Sequence, residues 1–204
     1  CIKLKIGVDW KSEKEIIKKL REKFPKEQLE LRVDANGAFN SNEALSKLNQ
    51  LNEFELHSIE QPIKANQLQE MKLLCEQTPF PIALDEELIG VFGIENKRKL
   101  LEEIQPQYII LKPSLVGGFK GTLEWISIAE SLNIGWWITS ALESNIGLNA
   151  ITQFTFTLNN PMPQGLGTGG LYTNNFDCPL EIEKGHIQYN VQKHWDFSNL
   201  GISL

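Results

Sequence analysis

Six apolar runs along the chain each close on a polar residue just before a turn: Lys5, Asp34, Glu60, Asp85, Lys112 and Ser140. Successive members stand 29, 26, 25, 27 and 28 residues apart. Strand patterns are read at residues 2–6, 29–33, 58–60, 81–85, 108–112, 134–139 and 162–167. Helical periodicity fills the gaps, at 12–24, 41–51, 66–76, 94–104, 119–132 and 145–157. Ser12 and Glu15 read as a capping box for the first of these. Residues 179–182 and 187–191 alternate weakly, as a terminal hairpin would. Alternating β and α with short links implies a parallel sheet with right-handed crossovers. An open doubly wound sheet gathers its site at the one crevice where strand order reverses. A barrel draws its site from the C-terminal ends of many strands. Six consecutive contributors favour the closed ring, so the expected fold is α/β, a TIM-type (β/α) barrel.

Side-chain alternation sharpens the expectation. Lys3 and Lys5 share one strand face, opposite Ile2, Leu4 and Ile6, and Arg32 and Asp34 share a face opposite Leu31 and Val33. If the apolar set meets the helices, the charged set points inside the barrel, where a charge must be paired or bound to metal. Asp34, Glu60 and Asp85 end three successive strands. Three converging carboxylates repel and raise one another's pKa, and a divalent cation relieves this. Oxygen donors without His or Cys select Mg²⁺ or Mn²⁺ over zinc. Lys5 and Lys112 stand four strand steps apart, which in a ring of eight sets them face to face. A lysine crowded by a second cation and a metal is a usable base.

Composition narrows the partners. The net charge of −6 argues against nucleic acid, whose phosphates need a basic face. No run approaches the roughly 20 apolar residues of a membrane span. Cys1, Cys75 and Cys178 are odd in number and widely separated, which speaks against a disulfide framework or a zinc site. A reduced, cytoplasmic setting is expected, with a small-molecule carboxylate as substrate and the oligomeric state left open.

The ordered set Lys3-Leu4-Lys5, Arg32-Val33-Asp34-Ala35-Asn36, Ile59-Glu60-Gln61-Pro62, Leu84-Asp85-Glu86 and Leu111-Lys112-Pro113 resembles the muconate-lactonising subgroup of the enolase superfamily. Within it, the segment from Ser140 through Glu143 to Gly147 resembles the seventh-strand motif of the o-succinylbenzoate synthases, and Gly165-Leu166-Gly167-Thr168-Gly169 their eighth-strand loop. Dipeptide epimerases of the subgroup carry Asp-x-Asp in that loop, where this chain has glycines. The resemblance implies a (β/α)7β barrel, here expected to lack its first strand and an N-terminal capping domain, with residues 1–204 as the barrel domain. It also implies a Mg-dependent dehydration of a succinyl-hydroxycyclohexadiene carboxylate to o-succinylbenzoate in menaquinone biosynthesis. On that analogy Asp34, Glu60 and Asp85 hold the metal. Lys5 removes the proton α to the carboxylate and returns it to the leaving hydroxyl, Lys3 tunes Lys5, and Lys112 stabilises the intermediate, partly through a cation–π contact. Arg32, Asn36, Ser140, Glu143, Gly167 and Thr168 are the expected substrate contacts. The alternatives are an N-succinylamino acid racemase, dipeptide epimerase or cycloisomerase of the same subgroup, and a non-catalytic metal-binding barrel fragment.

Other signals read as structure. Gly165, Gly167 and Gly170 formally match a dinucleotide fingerprint, but no helical period follows them. Trp136 and Trp137 read as core, Lys97-Arg98-Lys99 as a solvated helix face, and His57, His186 and His194 as structural or surface residues.

Overall fold

The computed structural model describes residues 1–198. Six strands, β1 (Ile2–Lys5), β2 (Leu31–Asp34), β3 (Ser58–Glu60), β4 (Ile82–Leu84), β5 (Tyr108–Leu111) and β6 (Gly135–Ile138), form one sheet in chain order. The first five pair in parallel. Between them run α1 (Trp10–Lys23), α2 (Ser41–Leu51), α3 (Leu68–Gln77), α4 (Ile94–Ile104) and α5 (Gly118–Ser131), and α6 (Asn145–Thr157) follows β6. Strand order never reverses, so the sheet has the topology of a barrel wall rather than of a doubly wound sheet. An antiparallel hairpin of β7 (Leu180–Glu183) and β8 (His186–Tyr189) lies where the terminal alternation places it.

The chain divides into two compact units, residues 1–110 with 123–136, and residues 111–122 with the described residues from 137 onward. In the first, β2, β3 and β4 are buried along their whole length, although β2 and β3 carry polar residues at alternate positions, Arg32 and Asp34, Ser58 and Glu60. Leu31, Val33, Ile59, Ile82 and Leu84 are fully buried, with Ile17 of α1, Leu48 and Leu51 of α2, Met71 of α3 and Leu101 and Ile104 of α4. Full burial of one such side chain is worth about 1.5–3 kcal/mol. The helices of this unit are amphipathic because their apolar residues recur at helical spacing and only one face meets the sheet.

Three expectations need correction in these elements. The α1 cap is Asp9, not Ser12: the Asp9 side chain accepts the Ser12 N–H at 3.3 Å. Glu13 rather than Glu15 reaches back, taking the N–H groups of Gly7, Val8 and Asp9 at 2.8–2.9 Å. Trp10 therefore begins the helix, and Ser12 is inside its first turn. Lys97 is not on a solvated face. It is 2% exposed, with its ammonium 2.8 Å from Glu124 and lying over the Trp125 ring at 5.4 Å. The helical period puts Lys97 in line with Leu101 and Ile104, and its long stem is apolar enough to be buried while the head finds a carboxylate.

The third correction falls in the second unit. The strand expected at 162–167 is a single parallel bridge between Thr139 and Gly165. Gly165 N donates to Ile138 O at 2.8 Å and Ser140 N donates to Gly165 O at 3.1 Å. Pro161 and Pro163 have no N–H to extend a ladder. The Gln164 side chain substitutes, accepting Ile138 N at 2.7 Å. The close approach explains the glycine: a Cβ at Gly165 would stand 2.3 Å from Thr139 Oγ1. Leu148 and Ile151 of α6 and Trp137 and Ile138 are buried in this unit, and Trp136, in the first unit, is buried as well. Cys1, Cys75 and Cys178 are free thiols, and the His57 and Tyr108 rings pack at a 32° tilt with centroids 4.9 Å apart. Among the described residues no helix is long and apolar enough to cross a membrane.

Candidate active site

Lys5, Asp34 and Glu60 are direct partners across β1, β2 and β3, one row of the sheet at its C-terminal edge. The partner of Glu60 on β4 is Ala83, so Asp85 lies two residues further on and points to the same face. Lys3 sits one pleat repeat below Lys5 on β1. The first unit thus presents two ammonium and three carboxylate groups on one side of the sheet. Asp34 Oδ2 receives Lys5 Nζ at 2.6 Å and Lys3 Nζ at 3.1 Å, and Lys3 Nζ also donates to Glu60 Oε2 at 2.6 Å. The lysines lie on the expected face but are not enclosed. Their side chains are 36% and 64% exposed, because β1 is an edge strand of the sheet, while Asp34 is fully buried.

The electrostatics follow from that geometry. Burial disfavours charge on Lys3, but the Glu60 and Asp34 carboxylates beside it outweigh burial and raise its pKa. Burial alone would raise Asp34, yet the two ammonium groups hold its carboxyl below the ordinary value. Glu60 goes the other way, pushed up to about 8 by burial, with Asp34 and Asp85 adding repulsion that Lys3 only partly offsets. Its Oε1 is buried with no hydrogen-bond partner.

These features test the expected metal. Among the described residues no three carboxylate, His or Cys groups form a ready-made cage, because Lys3 and Lys5 draw oxygens of Asp34 and Glu60 to themselves. The donor set nevertheless fits a hard divalent cation. It is all oxygen, it carries an orphaned carboxylate atom, and its mutual repulsion lacks a full counter-charge.

Asn36 and Arg32 flank this row. Asn36 adopts φ 43°, accepts from Lys5 Nζ through Oδ1, donates its N–H to Asp34 Oδ1 at 3.0 Å and donates Nδ2 to Glu86 Oε1 at 2.9 Å. It therefore touches the candidate base directly, besides any contact with substrate. Arg32 is 4% exposed, with Nε and Nη2 at 2.8 and 2.7 Å from Glu30 Oε1. It stands one pleat repeat below Asp34 on β2. Sequence reasoning alone misses Gln61 and Glu87, both buried beside Glu60 and Asp85. In the sequence Gln61 stands out only as part of the Ile59-Glu60-Gln61-Pro62 motif, and the signal that could have found it is an amide immediately after a strand-end acid.

The second unit holds the remaining expected residues. Lys112 follows β5 and its carbonyl accepts the N–H groups of Leu115 and Val116 at 2.8 and 3.1 Å, closing a turn. Ser140 Oγ and Thr168 Oγ1 are 2.5 Å apart, which joins the loop after β6 to the glycine loop. Glu143 Oε1 accepts Ser114 Oγ at 2.7 Å, and its Oε2 is buried without a partner. Gly167 stands between the bridge at Gly165 and Thr168, with open space around it except for Ile182 Cδ1 at 3.7 Å.

Known proteins resemble this chain in sequence and in fold. The o-succinylbenzoate synthase of Desulfotalea psychrophila is 54% identical over 186 residues, covering 91% of this chain and 50% of that protein. The N-succinylamino acid racemase of Thermus thermophilus is 36% identical over 146 residues, covering 72% of this chain and 37% of its own length. The crystal structure of MenC from Desulfotalea psychrophila superposes with a TM-score of 0.86 at 52% identity, over 91% of this chain and 52% of that one. The chain thus spans about half the length of these relatives or less. Residues 1–192 match the family described as enolase C-terminal domain-like, and to that family the chain belongs.

Proposed function

We propose that the protein dehydrates a succinyl-hydroxycyclohexadiene carboxylate to o-succinylbenzoate. The observation that carries the reading is the row Lys5, Asp34, Glu60, completed on the same face by Lys3 and Asp85. The row sets an amine 2.6 Å from a carboxylate, which supports a proton-transfer role for Lys5 beside oxygen donors suited to a divalent cation. The 54% identity to a protein named o-succinylbenzoate synthase supports this choice of substrate.

On this reading Asp34, Glu60 and Asp85 hold Mg²⁺ or Mn²⁺. Bound there, such a cation would supply positive charge against which a second negative charge on the substrate carboxylate costs less. Lys5 takes the proton α to that carboxylate. Its Nζ stands 2.6 Å from Asp34 Oδ2, so the base works directly beside the carboxylates proposed for the cation. The protonated Lys5 then donates to the departing hydroxyl, which leaves as water. Lys3, bonded to both Asp34 and Glu60, holds the two acids together and keeps positive charge near Lys5. Asn36 accepts from the Lys5 ammonium beside Asp34 and is itself fixed by Glu86. Lys112 keeps the role implied by the sequence motif, stabilising the anionic intermediate. Ser140 and Thr168, tied by their hydroxyls, are proposed to meet the succinyl end with Glu143 and Gly167.

Ultraviolet absorbance follows aromatisation of the cyclohexadiene directly. Turnover with Mg²⁺ that stops in EDTA supports the synthase reading. Metal binding with no aromatisation refutes it. The 36% identity to an N-succinylamino acid racemase then makes racemisation of an N-succinylamino acid the second reading, since it uses the same α-proton abstraction.

A further inference from the structure

Gln61 is fully buried and follows the last residue of β3 with φ 38°, in the left-handed region that residues with a side chain avoid. A buried residue persists in such a conformation only when its surroundings over-determine it. Here the hydrogen bonds do so. The Gln61 N–H donates to Ala83 O at 2.9 Å and its carbonyl accepts Gly37 N at 2.7 Å. Its side-chain Oε1 accepts the backbone N–H groups of Asp85 at 3.1 Å and Glu87 at 3.3 Å. Its Nε2 donates to Ile63 O and to Glu87 Oε2, both at 3.1 Å. Both donors and both acceptor positions of the amide are used. Glu87, 7% exposed, spends its other oxygen on Asn66 N at 3.0 Å.

The pair therefore links the segment after β3 to the segment after β4. It grips the chain one residue beyond Glu60 and at the Asp85 amide itself. Neither side chain keeps a polar atom for substrate, so neither is a catalytic residue. Glu60 and Asp85 repel each other, and a backbone free to relax would let them part. We propose that Gln61 and Glu87 are positioning residues, a clamp that holds the Glu60 and Asp85 carboxylates at the spacing a divalent cation requires. This rests on the carboxylate cation site proposed above. Polar partners behind ligating carboxylates change metal affinity by about 10–100-fold.

The test measures Mn²⁺ affinity of the full chain by electron paramagnetic resonance, per folded molecule as counted from thermal melts in EDTA. Glu87→Asp keeps the charge but, shorter by one methylene, loses the reach to Gln61. Glu87→Gln keeps the length but removes the charge and one of the two hydrogen bonds. Asp85→Asn is the reference for loss of a ligand. Positioning predicts that both Glu87 variants, and Asp85→Asn, bind Mn²⁺ about tenfold more weakly than the parent. Parent affinity in Glu87→Asp overturns the clamp, because any loss in Glu87→Gln alone is then a change of local charge. Should Glu87→Gln fail to fold, Glu87→Asp alone decides between a weakened site and an unchanged one. Parent affinity in Asp85→Asn overturns the cation site itself, and the clamp with it.

Discussion

Glu60→Gln separates what the acidic row costs the fold from what it does for binding. The Glu60 carboxyl stands at about 8 in the folded chain, against an ordinary value of 4.5, and its side chain is 3% exposed. Below pH 4.5 the group is protonated in both folded and unfolded chains and makes no difference between them. From 4.5 to 8 the unfolded chain releases a proton that the folded chain retains, so stability falls as pH rises. The slope is up to about 1.4 kcal/mol per pH unit. Above 8 the loss levels off. Gln has nearly the same shape and no proton to lose. With metal removed, Glu60→Gln should therefore gain about 2 kcal/mol on the parent between pH 5 and pH 7. Urea unfolding at pH 5, 6 and 7 in EDTA gives the difference directly. Added Mg²⁺ should then stabilise the parent and leave the variant almost unmoved, since binding to the folded state alone adds stability. A gap that is flat with pH, or that narrows as pH rises, would refute the placement of an only partly compensated buried carboxylate at Glu60.

Other substitutions probe neighbouring claims. Lys5→Ala should abolish turnover and leave divalent-cation binding within about twofold by calorimetry, since Lys5 supplies the proton chemistry rather than a ligand. Lys97→Met should keep the buried stem and forfeit the ion pair with Glu124, costing about 1–3 kcal/mol in urea unfolding. Gly165→Ala should cost a similar amount or more, because its Cβ would meet Thr139 at less than contact distance. Burial pushes the Cys75 thiol up to about 12, so at pH 8 a thiol reagent should label exposed Cys1 rapidly and Cys75 only after denaturation.

Strand-end polar residues are legible because the period-two pattern that buries Leu31 and Val33 forces Arg32 and Asp34 to the other face. The same alternation gives Lys3 and Lys5 a common side, and the ion pairs to Asp34 bear that out. What the pattern cannot give is enclosure, which depends on what pairs with β1 rather than on β1 itself. Proline chemistry near 161–163 reduces an apolar run to one bridge, a case where missing N–H donors overrule hydrophobicity. Lys97 misleads because its charge suggests solvent, while its helical phase with Leu101 and Ile104 dictates burial. Gln61 and Glu87 escape notice because their partners come from three separate segments and no local spacing announces them.

The in-register row has a consequence for how such a chain can change. From Lys5 to Asp34 is 29 residues and from Asp34 to Glu60 is 26, yet all three are direct neighbours across the sheet. Strand pairing, not the length of the intervening chain, fixes where the three groups meet. Insertions in the connections that leave the strand register alone should leave the chemistry where it is, so those connections are free to vary and take on new binding preferences. A slip of one residue in any of the three strands would instead turn its functional group to the opposite face. The protein is thus tolerant along its length and intolerant across its sheet.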